Sequence, residues 1–293
     1  MIIEATRVDS LEDIARNAER EVSENFSLNY ISSHIVSMAD LKNKPLSDVT
    51  EEANRWAARE KPAELQINHG EHIKNGLDHI IHELKHKNTS NRALFSLISQ
   101  DHISDTGDKP IPSFMIMQCN IHENTLYCTS YFRALEVSKF FRINLEELRL
   151  KICEIQKSIR SFDKVNITVF AFRAYINRDI NTLTVPEIDR THPIDLMTTL
   201  LENKSKVANM LREKGLPSTV IETESIQNFI KSINKDLFKS DNKRSMTLEA
   251  EKAIHIADEL AELRERDSHH SDIENLNREF QTKLNKIAEE LER

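Results

Sequence analysis

The sequence predicts a mixed α/β domain that is followed by an all-α region. Up to about residue 200, segments rich in β-branched and aromatic residues alternate with apolar residues at helical spacing. After about Leu200, only helical spacing remains. The 293 residues allow one large domain or two, at roughly 100–200 residues each. We therefore predict an α/β domain at 1–200 and a module of antiparallel helices at 201–293.

Two helices are predicted ahead of the sheet. Ser10 can cap the first helix, because its hydroxyl can accept an orphan backbone N–H at the helix start. The second helix is predicted from Gly70 to Lys87 because apolar residues recur there at the spacing of one buried stripe: Ile73, Leu77, Ile80 and Leu84.

The sheet is predicted from residue 113 onward. Ser113–Ile121 and Leu126–Phe132 are typical of two strands that a polar four-residue turn joins into a hairpin. Val165–Tyr175 is a third predicted strand and Leu94–Ile98 a fourth. A helix that covers the sheet is predicted between the hairpin and the third strand, from Leu145, Leu148, Ile152, Ile155 and Ile159.

The helical region shows three apolar stripes. The last helix is predicted to start at Ser271, which can form a capping box with Glu274. Residues 267–272 are predicted to be the turn of an antiparallel helix pair. The stripes are Ile226, Phe229, Ile230, Ile233 and Leu237; Ile254, Ala257, Leu260 and Leu263; and Ile273, Leu276, Phe280, Leu284, Ile287 and Leu291.

Composition excludes several classes of protein. The 40 Lys and Arg against 48 Asp and Glu leave a net charge of −8, which argues against binding duplex nucleic acid. Apolar runs are too short to cross a bilayer, and the first residues do not resemble a secretion signal, so we expect a cytoplasmic protein. The three cysteines form no C-x-x-C motif and are expected to be reduced. None of the four glycines lies in a phosphate-loop motif.

The segment His82–His86 has the form H-E-x-x-H, in which two histidines can bind zinc. On a helix, however, these histidines lie opposite the apolar stripe. No third histidine follows at the spacing of a metalloprotease. We therefore predict a solvated polar face without a bound metal, and adventitious metal binding is the next alternative.

Several arginines lie at the ends of predicted strands: Arg92, Arg133, Arg173 and Arg178, with Tyr175 between the last two. Strand ends in one α/β domain can converge, and guanidinium groups suit phosphate or carboxylate. The alternative is that these are scattered surface arginines.

Four segments resemble motifs of thymidylate synthase in the same order. Pro112–Gln118 resembles P-C-H-x-x-x-Q, Phe132–Glu136 resembles Q-R-S-x-D, Phe140–Asn144 resembles G-x-P-F-N, and Arg173–Arg178 resembles H-x-Y-x-N-H. The resemblance covers roughly residues 55–180, and Trp56, Asn68–Gly70 and Ser90–Arg92 extend it upstream. It does not reach the tail.

The resemblance implies roles for four residues. Arg133 would hold a nucleotide phosphate, and Arg92 would reach the same phosphate from a partner subunit. Asn144 would read the pyrimidine ring, and Tyr175 would bind the sugar hydroxyl. The family packs its sheets back to back, so the resemblance also implies a homodimer.

The sequence departs from the family at the positions of chemistry. Ser113 replaces the nucleophilic cysteine and Phe114 replaces the adjacent histidine. C5 of a pyrimidine becomes reactive only when a nucleophile adds to C6, and a serine hydroxyl needs a base for that. Arg173 and Arg178 replace both histidines of the last motif, while Phe132 and Ala134 flank the phosphate arginine.

We therefore predict a catalytically degenerate thymidylate synthase-like protein that needs no cofactor. It would be a homodimeric sensor or regulatory subunit that binds a pyrimidine nucleotide through Arg92, Arg133, Asn144, Tyr175, Arg173 and Arg178. Two alternatives stay open. The fold could be a structural dimer platform that binds a protein partner through residues 201–293, or an enzyme of altered chemistry that uses Ser113.

Overall fold

The computed structural model describes residues 4–22, 26–104, 111–178, 184–218, 220–267 and 270–293. These residues form two compact units. The first comprises the described residues of 4–62, 67–104 and 111–178, and the second comprises 63–66 and the described residues from 184 onward. The helices between residues 187 and 200 thus belong to the second unit.

A six-stranded mixed sheet forms the centre of the first unit, in the order β1-β2-β6-β5-β4-β3. Two neighbouring pairs, β1 with β2 and β5 with β6, are parallel, and the others are antiparallel. The strands are β1 (Thr6–Arg7), β2 (Phe26–Ser37), β3 (Leu94–Ser96), β4 (Phe114–His122), β5 (Thr125–Glu136) and β6 (Lys164–Tyr175). The predicted hairpin, third strand and fourth strand are confirmed, whereas β1 and β2 were not predicted.

The hairpin turn between β4 and β5 is shorter than predicted. His122 pairs with Thr125, so only Glu123 and Asn124 form the turn. Both have positive φ angles, 46° and 62°. Such two-residue turns match the twist of the two strands, and asparagine tolerates this conformation well.

Among its described residues, the first unit also contains seven helices, most of which pack on one face of the sheet. They are α1 (Leu11–Glu21), α2 (Met38–Asn43), α3 (Thr50–Ala57), α4 (Gly70–Ile73), α5 (Gly76–His86), α6 (Gln100–Ser104) and α7 (Phe140–Ile159). The predicted cap is confirmed, since Ser10 accepts from the N–H of Asp13. The covering helix predicted around Leu145–Ile159 is confirmed as α7.

The prediction of a single helix over 70–87 is wrong, because the helical backbone is interrupted between α4 and α5. Lys74 has a φ of 50°, which a helix cannot contain. The second part then starts at Gly76, where a Cβ atom would lie 2.5 Å from Cβ of Phe95. Close packing of α5 against β3 therefore requires glycine at this position.

The two faces of the sheet differ. The inner face contributes Cys128, Phe132, Ile167 and Ala171 to one hydrophobic core with residues of the helices, such as Leu84 and Leu148. The outer face contributes nothing to that core among the described residues. In its middle, side chains of β4, β5, β6 and β2 lie in three cross-strand rows without a charged residue, while Lys164 and Arg7 lie on the same face at its edges. The rows are Ile116, Tyr131, Phe170 and Ile31; Gln118, Thr129, Thr168 and Ser33; Asn120, Tyr127, Asn166 and Ile35.

A line of irregularities crosses the sheet near one end. Asn29, Phe172 and Arg133 face one another on β2, β6 and β5 without pairing, although the flanking residues pair in constant register. The register of β4 against β5 shifts at the same level, between Phe114 and Ile116. A register shift of this kind is a β-bulge, which bends its strand and redirects side chains. We call this level of the sheet, with its unpaired positions and its one register shift, the line of bulges. Phe172, at the centre of the line, is 62% exposed.

The second unit contains only helices in its named elements. They are α8 (Glu187–Arg190), α9 (Pro193–Glu202), α10 (Lys204–Lys214), α11 (Glu224–Ile233), α12 (Lys243–Arg266) and α13 (Asp272–Glu292). The start of α12 bonds the end of α13, since Ser245 donates to Glu290. Near the other ends, Arg264 donates to Asn277. The predicted antiparallel pair is therefore confirmed, while residues 268–269 of its predicted turn lie outside the described residues.

Two details of the helical prediction are wrong. Helix α11 ends at Ile233, so Leu237 is not part of its buried stripe and is 70% exposed. Ser271 precedes α13, but its side chain makes no capping hydrogen bond because the residue has helical backbone angles.

A short segment from the first half of the chain belongs to the helical unit. Leu65 forms a β-bridge with Thr184 and is fully buried. The N–H of Val185 donates to the carbonyl of Glu64 over 2.7 Å. Gln66 also donates to the hydroxyl of Ser218. Residues 63–66 therefore complete a unit that otherwise consists of the C-terminal part of the chain.

A buried histidine of β2 should make stability depend on pH. His34 is 3% exposed, and neither ring nitrogen has a hydrogen-bond partner among the described residues. Burial lowers the pKa of His34 below its ordinary 6.5, against a smaller opposite effect of Glu21. The unfolded chain binds the proton more readily, so the free energy of unfolding should fall as the pH drops through 6.5.

Urea unfolding between pH 8 and pH 5 measures this effect. One such group contributes a slope of at most about 1.4 kcal/mol per pH unit. His34→Leu should reduce the slope, because it removes the group that resists protonation. The exposed His82→Gln is the control and should leave the slope unchanged. An equal slope in His34→Leu and the parent protein would contradict the prediction.

Candidate anion site

Arg133 lies in the line of bulges and carries no ion pair to a carboxylate among the described residues. Its backbone N–H donates to the carbonyl of Ser113 over 2.8 Å, which joins the end of β5 to the start of β4. The guanidinium makes one long contact, 3.5 Å, to the carbonyl of Ile111. Desolvation lowers the pKa of Arg133, while Tyr175 acts in the opposite direction.

Arg173 and Tyr175 lie beside Arg133 at the end of β6. They flank Ala174, which points into the core, so both face away from the core. The guanidinium of Arg173 stacks 3.9 Å above the ring of Phe26, and its buried Nε atom has no hydrogen-bond partner. Burial and Glu136 raise the pKa of Tyr175, whereas both arginines lower it. Tyr175 therefore lies within electrostatic reach of both arginines.

Glu136 organises the backbone around this group. The buried carboxylate accepts hydrogen bonds from the N–H groups of Ser138, Lys139 and Phe140 at the start of α7. It also accepts from the N–H of Asn177 and from the hydroxyl of Ser138. The end of β5, the start of α7 and the chain after β6 are thus held by one side chain.

The residues at the family's catalytic positions lie in the core instead. Phe114 and Phe132 stack with ring centroids 5.1 Å apart and are 1% and 3% exposed. Asn144, on the second turn of α7, is also buried, and its Oδ1 atom has no hydrogen-bond partner. An unpaired buried acceptor is costly, and no donor compensates Asn144 among the described residues.

Ser113 has no base. Among the described residues, no hydrogen bond joins its hydroxyl to a histidine or a carboxylate. The buried His69 packs against the ring of the neighbouring Phe114 at 5.6 Å between centroids, and its Nδ1 lies 2.6 Å from Glu147.

The buried group around His69 was not predicted from the sequence. Glu147 also accepts from Lys151. Burial alone raises the pKa of Glu147, but His69 and Lys151 outweigh it and lower the pKa to about 2. The rings of Trp56 and His69 pack edge to face, with their centroids 5.2 Å apart. The i, i+4 spacing of Glu147 and Lys151 was the available signal for this pair.

The predicted nucleotide-binding set does not come together completely. Arg133, Arg173 and Tyr175 converge, whereas Asn144 lies with the buried side chains. Arg178 is paired with Glu19 at 2.8 Å. Arg92 is exposed in the loop before β3, where its carbonyl contacts His79.

The histidines of α5 do not form a metal centre. His79, His82 and His86 are exposed, and the rings of His82 and His86 stack at 5.6 Å. In the described part of the chain, no group of three or more His, Cys, Asp and Glu side chains has an arrangement that could hold a metal ion.

Comparison with known proteins does not assign the chain to a family. A scan against protein-family models gives no match. A search of curated proteins finds no similar sequence. Within the described residues, no helix has the length and apolar character needed to cross a membrane.

Removal of the Glu136 carboxylate should destabilise the first unit strongly. Glu136→Ala leaves one buried and three partly buried N–H groups without this acceptor, and we expect a loss of about 3 kcal/mol in the free energy of unfolding. Glu154→Ala on the exposed side of α7 is the matched control, with an expected change within about 0.5 kcal/mol. Urea unfolding of both variants checks this. Equal stabilities would show that the carboxylate does not hold this junction.

Proposed function

We propose that this protein is a homodimeric, catalytically silent thymidylate synthase-like protein that binds a pyrimidine nucleotide as a sensor or regulatory subunit. The observation that carries the proposal is the convergence of Arg133, Arg173 and Tyr175 at the line of bulges. Neither guanidinium has a carboxylate partner in the described structure, and both lie close enough to Tyr175 to lower its pKa. An anion such as phosphate would supply the missing negative charge. The unpaired Nε of Arg173 supplies a donor for it.

The pyrimidine assignment is supported by Asn144 and by the motif resemblance. Oδ1 of Asn144 is an acceptor for an N–H of a pyrimidine ring, but it is buried in this structure, so this contact requires the side chain to become accessible first. The sugar hydroxyl would bind Tyr175, at the position where the family has its tyrosine. Phosphate recognition therefore has more support than recognition of the pyrimidine base.

Binding without catalysis follows from Ser113 and Phe114. No described base activates the Ser113 hydroxyl, and Phe114 occupies core space beside Phe132. Methyl or hydroxymethyl transfer to C5 therefore has no nucleophile. An enzyme of altered chemistry at Ser113 would need a base from outside the described residues.

The homodimer proposal is supported by the outer face of the sheet. Its three rows contain aromatic, aliphatic, hydroxyl and amide side chains without charge, and Phe172 beside them is largely exposed. Uncharged faces with exposed aromatic residues are typical of protein interfaces. Two such faces packed about a twofold axis would bury each other, and Arg92 of one subunit could then contribute to the site of the other.

A structural platform is the second candidate function. It is favoured by the filled core at Phe114 and Phe132 and by large apolar side chains that the helical unit exposes, namely Ile194, Leu237 and Leu248. In this case the helical unit would bind a protein partner, and the arginines would have no ligand.

Arg133→Ala should weaken nucleotide binding tenfold to a hundredfold. The guanidinium would lose charge-assisted hydrogen bonds to phosphate worth about 1.5–3 kcal/mol, and about 1.4 kcal/mol corresponds to a factor of ten. Calorimetric titration with dUMP, dCMP and deoxyuridine measures the effect, and only the two phosphorylated ligands should lose affinity.

Arg266→Ala, an exposed arginine of the helical unit, is the control for this substitution and should bind nucleotides like the parent protein. A thermal-shift panel of the parent precedes the titration, since ligand binding stabilises the folded state. If millimolar dUMP and dCMP both leave the melting temperature unchanged, the nucleotide proposal is wrong and the platform is favoured.

The dimer should dissociate when a charge is placed beside the outer face. Phe172→Glu exposes no new core surface, because the side chain is already exposed, but it would bury a carboxylate in the proposed interface. Light scattering at ten micromolar should give about twice 34.0 kDa for the parent and 34.0 kDa for the variant. Leu237→Glu, equally exposed in the helical unit, should remain dimeric. A monomeric parent protein would contradict the proposal.

A further inference from the structure

Two buried cysteines face each other across the β4–β5 hairpin. Cys119 and Cys128 are directly opposite in the register of the two strands. Both are free thiols, each is 1% exposed, and both belong to the hydrophobic core on the inner face. The site described above uses neither of them.

The hydrogen-bond pattern defines the geometry of this pair. The N–H of Cys119 donates to the carbonyl of Ala93 over 2.8 Å, on the side away from β5. Cys119 and Cys128 therefore form a non-hydrogen-bonded pair, in which Cα atoms lie about 4.5 Å apart. Hydrogen-bonded and non-hydrogen-bonded pairs alternate along an antiparallel hairpin. Counting from the hydrogen-bonded pair His122 and Thr125, which closes the two-residue turn, also makes Cys119 and Cys128 a non-hydrogen-bonded pair.

This geometry is compatible with a covalent bond. Cα atoms in disulfides are usually roughly 4.4–6.8 Å apart, so the two strands need no displacement. The thiols already interact, and this interaction together with burial raises the pKa of Cys119. The third cysteine, Cys153, lies on α7 beside Arg149 and is only half-buried.

We propose that Cys119 and Cys128 are a site of reversible thiol oxidation that forms a cross-strand disulfide when the protein meets a disulfide oxidant such as oxidised glutathione. The inference is independent of nucleotide binding.

The reaction balances as two thiol–disulfide exchanges. One cysteine thiolate attacks a sulfur of oxidised glutathione, which forms a mixed disulfide and releases one glutathione thiolate. The second cysteine, after loss of its proton, attacks the protein sulfur of the mixed disulfide and releases the second glutathione. The protein loses two electrons and two protons, and one oxidised glutathione becomes two reduced molecules.

Burial sets the rate of this oxidation. A thiol with a raised pKa reacts slowly because little thiolate is present. Beyond β4, the only neighbouring strand is β3, with three residues, so local opening of this side gives the oxidant access. We therefore expect oxidation over hours rather than seconds at neutral pH.

The disulfide would fix the register of the hairpin. The far end of the same strand pair carries the contact from Arg133 to Ser113, so both strands that frame the anion site would be tied together. Constraint of the unfolded chain should raise the melting temperature, by roughly 4–10 °C for a disulfide of ordinary strength in a protein of this size.

The test incubates the full-length folded protein with oxidised glutathione, followed by an acid quench, unfolding, alkylation and peptide mass spectrometry. We expect a peptide pair cross-linked between Cys119 and Cys128, while Cys153 remains alkylated. The melting temperature should rise and should return to its first value after reduction. Cys153→Ala should behave like the parent, and Cys128→Ala should form no cross-link and show no reversible rise.

Two results would overturn the inference. One is full alkylation of Cys119 and Cys128 after prolonged incubation of the folded protein. The other is a glutathione adduct on either cysteine that is not converted into the cross-link, because the opposite thiol at this distance should attack the mixed disulfide and displace glutathione. Both readouts come from the parent protein, so they do not depend on the folding of a variant.

Discussion

The carboxylate of Glu136 is the interaction on which the first unit depends most. A strand end, a helix start and a loop each leave backbone N–H groups without partners in their own element. Here one buried side chain accepts from all three. The position of α7 over the sheet, and with it the core around Leu148 and Ile152, follows from this junction. In the motif resemblance Glu136 stands at the family's aspartate, and in this chain its hydrogen-bonding capacity is taken up by the backbone.

Glu136 holds the backbone together, whereas the line of bulges directs side chains away from the core. Strict alternation from the buried Ala171 would place Arg173 and Tyr175 on the inner face, but Ala174 belongs to the core instead. The unpaired positions at Asn29, Phe172 and Arg133 and the register shift of β4 all lie at one level of the sheet. Arg173 and Tyr175, just beyond this level, then lie near Arg133. The same region therefore brings the candidate anion-binding group and an exposed aromatic ring to one edge of the outer face.

The sequence predicts those parts of the fold whose spacing is uninterrupted. The stripe Leu145–Ile159 and the strand Val165–Tyr175 are continuous, so α7 and β6 could be recognised. Strand β2 escaped prediction because serines, an asparagine and His34 interrupt its apolar pattern, and its antiparallel partner β6 is more than a hundred residues away. Arginines at strand ends indicated the anion site. No local pattern could show that Asn144 is buried or that Glu147 meets His69, since both depend on tertiary packing.

The segment Ala63–Gln66 prevents a single cut of the chain from separating the two units. A helical module appended to a finished domain would be contiguous and could be removed by a single cut. Here the helical unit needs Leu65, which is supplied from the middle of the sheet unit's sequence. Cleavage after residue 178 would leave Leu65 without Thr184 and would expose apolar surface on both fragments. The helical unit is thus a discontinuous domain, and a gene fusion at the C-terminus alone does not account for its architecture.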